Sequence, residues 1–130
     1  MTNPGMTTLL LLVAIAACSE SSPAGGVAAA QGVEEAKIRQ LIERVRGLDG
    51  ATFIRNGTEH AAAAAAAHLE MKYRYAKGEI GSAAEFIAKI ASRSSTTGEA
   101  YRIRLADGTE TDAGTFFDAA LREIENGERR

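Results

Sequence analysis

Two histidines, a hydroxyl-rich loop and three arginines are the side chains whose types and spacing could support chemistry in this sequence. His60 and His68 stand eight positions apart in a stretch that reads as helix from about Glu59 to Lys77. At about 100° per residue they lie roughly 80° out of phase, too far apart along the axis to share a metal. Neither belongs to a His pair at i, i+4 or to a His-Glu-x-x-His pattern, so no metal site is predicted. His68 and Lys72 are four apart and therefore neighbours on the helix surface. A cation beside the imidazole disfavours its protonated form and would leave a neutral base. The plain structural alternative is a histidine at the edge of the apolar stripe, next to Leu69, donating to a backbone carbonyl.

Ser92-Arg93-Ser94-Ser95-Thr96-Thr97-Gly98 offers hydroxyls beside a cation and a flexible glycine, a composition that could hold a phosphate or a sugar. The segment follows a helix C-terminus, where the helix dipole repels anions, and it lacks the Gly-x-x-x-x-Gly-Lys arrangement of a phosphate loop. A serine nucleophile would need a positioned base and an oxyanion hole. Nothing local supplies either, and His68 could reach the loop only through the fold. A structural turn is the default. Arg55, Arg102 and Arg104 complete the set. If the strands that carry them pair, they would make a basic face for anionic lipid or a partner's carboxylates; the commoner outcome is a solvated strand face.

Hydrophobic spacing supplies the elements that must position these groups. Ile38, Leu41, Ile42, Val45 and Leu48 share one helical face from Val33 onward, and Gly50 stops that helix. Ala51 to Arg55 reads as a short strand closed by an Asn56-Gly57 turn. The helix from Glu59 contains the alanine run 61–67, so its packing is assigned to Leu69, Met71, Tyr73 and Ala76. Ser82 caps a third helix, with Glu85 placed for a capping box and Phe86, Ile87 and Ile90 as its buried stripe. Tyr101 to Leu105 alternates as a strand, Asp107-Gly108 turns, and a last helix runs from about Asp112 to Asn126. The order α-β-α-α-β-α predicts a small single α+β domain with helices packed on a two-stranded antiparallel sheet.

At 130 residues, 45% of them apolar and 25% charged, the chain has the composition of a globular domain. A net charge of -2 excludes a generally basic nucleic-acid binder. Leu9 to Ala17 is a nine-residue apolar run, the length of a signal-peptide core and about half of a membrane span. Ile15-Ala16-Ala17-Cys18 resembles a bacterial lipobox, although Met1 to Thr8 carries no Lys or Arg. Three segments follow: a signal peptide over 1–17, a lipidated Cys18 with a flexible tether over 18–32, and a folded domain over 33–130. The lone cysteine, once acylated, leaves no thiol at risk in an oxidising compartment. Ser19 resembles the residue that follows the cysteine in lipoproteins sent to the outer membrane. The expected location is therefore the periplasmic face of that membrane, with a soluble periplasmic form as the alternative.

Phe53-Ile54-Arg55-Asn56-Gly57, His68-Leu69 with Lys72, Ala84-Glu85-Phe86-Ile87, and Ala91-Ser92-Arg93-Ser94-Ser95 with Gly98 and Tyr101 occur in that order. This series resembles the YfeK-like family of small exported proteobacterial proteins, from Val33 to Ile124. The resemblance implies a periplasm-facing domain of unknown function and brings no activity, cofactor or catalytic residue. It marks Arg55, Asn56, His68, Lys72, Ser92, Ser94, Ser95 and Tyr101 as binding candidates, because they fall in its motifs. The function expected is a non-catalytic envelope lipoprotein that binds a partner protein or ligand, with no cofactor. The alternative is a small hydrolase or transferase using His68 with a serine of the 92–95 loop.

Overall fold

In the computed structural model, which describes residues 23–130, helix α1 (Pro23–Arg46) turns Ile38, Leu41, Ile42 and Val45 into the core. The expected signal peptide and Cys18 lie outside the described residues. Helical backbone starts ten residues ahead of Val33, at a proline, whose missing N–H is no loss in a first turn. Past Arg46 the chain reverses through Gly50 at φ 72°, where a Cβ would stand 3.1 Å from that of Ala106. Both the left-handed backbone and the close approach require glycine there.

Strand β1 (Thr52–Arg55) is followed by Asn56 and Gly57 at φ 51° and 75°, the paired positive values of a type I′ turn. That turn folds the next residues straight back as β2 (Thr58–Ala61), pairing Arg55 with Thr58 and Phe53 with His60. Strand β3 (Arg102–Arg104) pairs with the other edge of β1, and β4 (Glu110–Asp112) pairs with β3. The result is a four-stranded antiparallel sheet in the order β2-β1-β3-β4. This corrects the expected two-stranded sheet and the order α-β-α-α-β-α. Thr58-Glu59-His60 and Glu110-Thr111-Asp112 carry little apolar signal of their own. Each becomes a strand because a tight turn delivers it to an open row of ladder donors and acceptors.

Helix α2 (Ala62–Ala76) accordingly starts later than Glu59, where β2 ends. Its buried stripe is Ala62, Ala65, Ala66 and Leu69, so the alanines themselves pack, while Met71, assigned to the core from spacing, is 45% exposed. Helix α3 (Ala83–Phe86) runs on as a π-helical turn, Ile87–Ala91. Its start is capped as expected: the Ser82 hydroxyl accepts from Glu85 N–H, and the Glu85 carboxylate accepts from Gly81 N–H. Helix α4 (Ala113–Glu128) buries Phe117, Ala120 and Ile124. Helices α2 and α4 pack against one face of the sheet, the face of Phe53 and Ile103, α1 packs on both of them, and the other face of the sheet is left to water. Phe86 sits at the centre of the helical layer, edge-on to Tyr73 and Phe117 at 5.7 and 6.4 Å between ring centroids. Among the described residues, no helix is long and apolar enough to cross a membrane.

Candidate functional site

Side chains alternate along a strand, and Arg55 lies two positions beyond Phe53, so it belongs to the inner, helix-covered face. Arg102 stands opposite Ile54 and therefore on the outer face, together with Arg104. The expected basic stripe of three arginines does not form. Arg104 instead pairs with Glu59 at 2.8 Å and Glu110 at 3.2 Å, and Arg102 pairs with Glu110 at 3.3 Å. These are solvent-exposed cross-strand pairs, which solvent screens and which contribute little to stability.

Arg55 lines a cavity of about 50 Å³ between β1 and α2, together with Phe53, His60, His68, Leu69 and the ring of Tyr101. His60 reaches it from β2 and His68 from α2, so the two imidazoles share a cavity although they do not share a helix. The eight-residue separation that set them apart on one helix is closed where the chain turns from β2 directly into α2. His60 is the residue the sequence reading missed as a site candidate. Counting back across the two-residue Asn56-Gly57 turn, which the sequence did show, places it opposite Phe53. Among the described residues, no three His, Cys, Asp or Glu side chains gather as metal ligands.

Lys72 stands behind this cavity. Its ammonium donates to the Ile90 carbonyl at 3.0 Å and to the Tyr101 hydroxyl at 3.2 Å. A cation at the end of the π-helical turn is well placed, because carbonyls there run out of helical donors and carry the negative end of the dipole. Tyr101 is 2% exposed, so this bond satisfies a buried hydroxyl. Lys72 thereby ties α2 to the π-helical turn and to the residue that leads into β3.

The serines lie elsewhere. Ser94 is 4% exposed, and its hydroxyl accepts from Thr96 N–H, Thr97 N–H and the Asn56 side-chain amide, each at 3.3 Å. The Thr97 hydroxyl donates to the Asn56 side-chain carbonyl at 2.8 Å. Asn56 and the loop thus form a clasp that pins the 94–98 turn to the hairpin tip. Ser92 donates to the Ala88 carbonyl at 3.3 Å and lines a separate groove with Arg93, Asp112 and Asp118. Ser95 is exposed. None of the three serines lines the His68 cavity, and so no Ser–His pair is assembled there. The candidates divide into a cavity group (Arg55, His68, Lys72, Tyr101) and a clasp (Asn56, Ser94), with Ser92 and Ser95 apart from both.

Residues 32–125 match the family described as "Family of unknown function (DUF5329)". The chain belongs to that family. It is also similar to the uncharacterized protein YfeK of Salmonella typhimurium (strain LT2), with 38% identity over 68 residues. That alignment takes in 52% of this chain and 57% of the relative, so the chain spans little more than half of the relative's length. The YfeK-like resemblance carried by the motifs is thus shown, as a domain of unknown function. No solved structure is significantly similar to the chain.

The DUF5329 match includes every residue of the cavity and of the clasp. Within this DUF5329 domain, His68 has its pKa lowered from the ordinary 6.5, first by burial and then by the positive charges of Arg55, Lys72 and His60. The unfolded chain therefore binds a proton at His68 more readily than the native one. The contribution of His68 to stability is complete above about pH 6.5 and is lost as pH falls below that value. Thermal melts across pH 5–8 should show this slope flattened in His68→Gln. An identical slope in the two proteins would refute the assignment.

Proposed function

We propose that this DUF5329 domain is a non-catalytic binding module of the bacterial envelope. In this reading the chain is exported and acylated at Cys18. The segment after the cysteine then holds the domain at the periplasmic face of the outer membrane, where it docks a partner protein or ligand through the Arg55–His68 face. The observation that carries the reading is Arg55 itself. It is half-buried, it lines a cavity, and it makes no ion pair with a described carboxylate, unlike Arg102 and Arg104. A charged group left in that state is more readily explained by recognition than by stability, since a half-desolvated cation without a partner destabilises the domain that carries it. The hydrolase or transferase alternative gains nothing from the geometry, because the serines are engaged or distant from the cavity.

Two measurements test this. Metabolic labelling with palmitate should mark the protein and fail in Cys18→Ser; an unlabelled, uncleaved product would remove the anchor from the reading. Pull-down from solubilised envelopes should recover a partner that Arg55→Ala loses and Ser95→Ala retains. Equal recovery with Arg55→Ala would eliminate this face as the docking surface.

A further inference from the structure

We propose that the cavity between α2 and the inner face of the sheet is a carboxylate site, with Arg55 as the anchoring cation and His60 and His68 flanking it. This rests on the reading of that face as a binding surface and names the chemical class it takes.

The argument begins with charge. The ionisable groups lining the cavity are basic or neutral, and among the described residues no Asp or Glu reaches it. The chain carries 17 acidic side chains, and glutamates pair with Lys37, Arg44, Arg46, Lys77, Lys89, Arg102 and Arg104 elsewhere in the fold. Other arginines without a described carboxylate partner are exposed and keep their water; Arg55 is half-buried. Lys72 adds positive potential from behind but is committed to Ile90 and Tyr101, so it strengthens the field without offering itself as a ligand. The site is therefore electrostatically incomplete, and what completes it is an anion.

Size and wall chemistry select the anion. About 50 Å³ holds a few heavy atoms. Ala64, Ala65, Leu69 and Phe53 form apolar walls with no side-chain donor. A phosphate presents oxygens in every direction and would leave several against those walls without partners. A carboxylate is planar, matches the two parallel N–H groups of a guanidinium, and trails an apolar stem that the walls accept. The imidazoles complete the rim: each carries an N–H donor when neutral and gains a second with charge when protonated. Arg55 from β1, His60 from β2, and His68 and Lys72 from α2 are the cationic or titratable groups around the anion, with the Tyr101 hydroxyl turned to Lys72. A bound carboxylate beside His68 opposes the burial and the cations that lower its pKa, so binding must raise it.

Such a carboxylate could come from a small free acid or from the end of a partner's chain, and the two are separable. Isotope-labelled full-length protein is titrated with propionate, with acetyl-Ala-Ala, with the amide of acetyl-Ala-Ala, and with inorganic phosphate. The Arg55 side-chain and His68 imidazole resonances are the readout. Saturable shifts with propionate alone assign a free acid; stronger saturation with the peptide acid assigns a chain terminus. In either case the amide and phosphate stay silent and the His68 pKa rises with ligand. Arg55→Gln should weaken binding at least ~10-fold, with Arg55→Lys intermediate because charge remains and the fork is lost. Melting curves of both variants establish that the fold is retained. Absence of saturable shifts with either carboxylate overturns the proposal, as does phosphate binding equally well or an affinity indifferent to Arg55→Gln. Should carboxylates fail while a partner is still lost with Arg55→Ala, the docking face stands and only its chemistry is wrong.

Discussion

Replacing Phe86 by alanine is expected to destabilise this domain by about 3–5 kcal/mol, among the largest costs of any single truncation of its core. Phe86 is fully buried and its ring is edge-on to both Tyr73 and Phe117. It stands where α3 meets α2 and α4, in a chain that has no tryptophan and only four phenylalanines. Most of the other buried side chains are aliphatic and many are alanines, which have no length to spare for filling a void. The cavity left by the ring would therefore stay largely open, and the cavity cost adds to the lost transfer energy. A folded unit of this size has about 5–15 kcal/mol of total stability, so the loss takes a large share of it. At roughly 4–8 °C per kcal/mol, the melting temperature should fall by on the order of 20 °C. Tyr75→Ala is the matched control: Tyr75 is 85% exposed, and its loss should stay within about 0.5 kcal/mol. Urea denaturation of the three proteins checks both values, and a Phe86→Ala cost near that of Tyr75→Ala would contradict the packing described.

The second large effect concerns the clasp. Ser94→Ala removes the acceptor shared by Thr96 N–H, Thr97 N–H and the Asn56 amide, at an expected cost of about 1–3 kcal/mol. The lower half of that range is favoured by the 3.3 Å lengths of all three bonds and by the exposure of Asn56. Asn56→Gly keeps the positive φ of the turn while deleting both side-chain bonds, so it separates hydrogen bonding from backbone conformation. If the two residues act as one device, the double variant should cost less than the sum of the singles, with a coupling of about 0.5–1.5 kcal/mol. Additive losses would mean that loop and hairpin are stabilised independently. The same variants bear on function, because the clasp sets the hairpin tip next to Arg55 without touching the cavity. Ser94→Ala should lower stability while leaving partner recovery from envelopes intact, a separation that Arg55→Ala should show in reverse.

Much of the scaffold could be read from neighbouring residues. Ile38, Leu41, Ile42 and Val45 declare their shared face by spacing, Ser82 and Glu85 declare a helix start, and Asn56-Gly57 declares a tight turn. Each depends on interactions a few positions long. Met71 shows where that logic stops. Its apolar character suggests a core position, yet α2 buries its alanine edge instead, because small side chains let that helix lie closer to its neighbours than a methionine edge would.

Hydrogen bonds inside a helix join residues four apart, and a capping box closes within one turn, so the sequence by itself determined the helices, the buried faces of α1, α3 and α4, the first hairpin turn and the family. A strand finds its partners wherever the chain happens to return, and only the tertiary structure decided that β2 and β4 exist at all. It also decided which face each arginine occupies. A shift of one residue in pairing would have exchanged Arg55 with Ile54, placing the guanidinium in solvent beside Glu59. The register that forms instead turns Arg55 inward, with His60 across the hairpin and His68 above it on α2. That placement, which depends on contacts distant along the chain, gives the domain its candidate site.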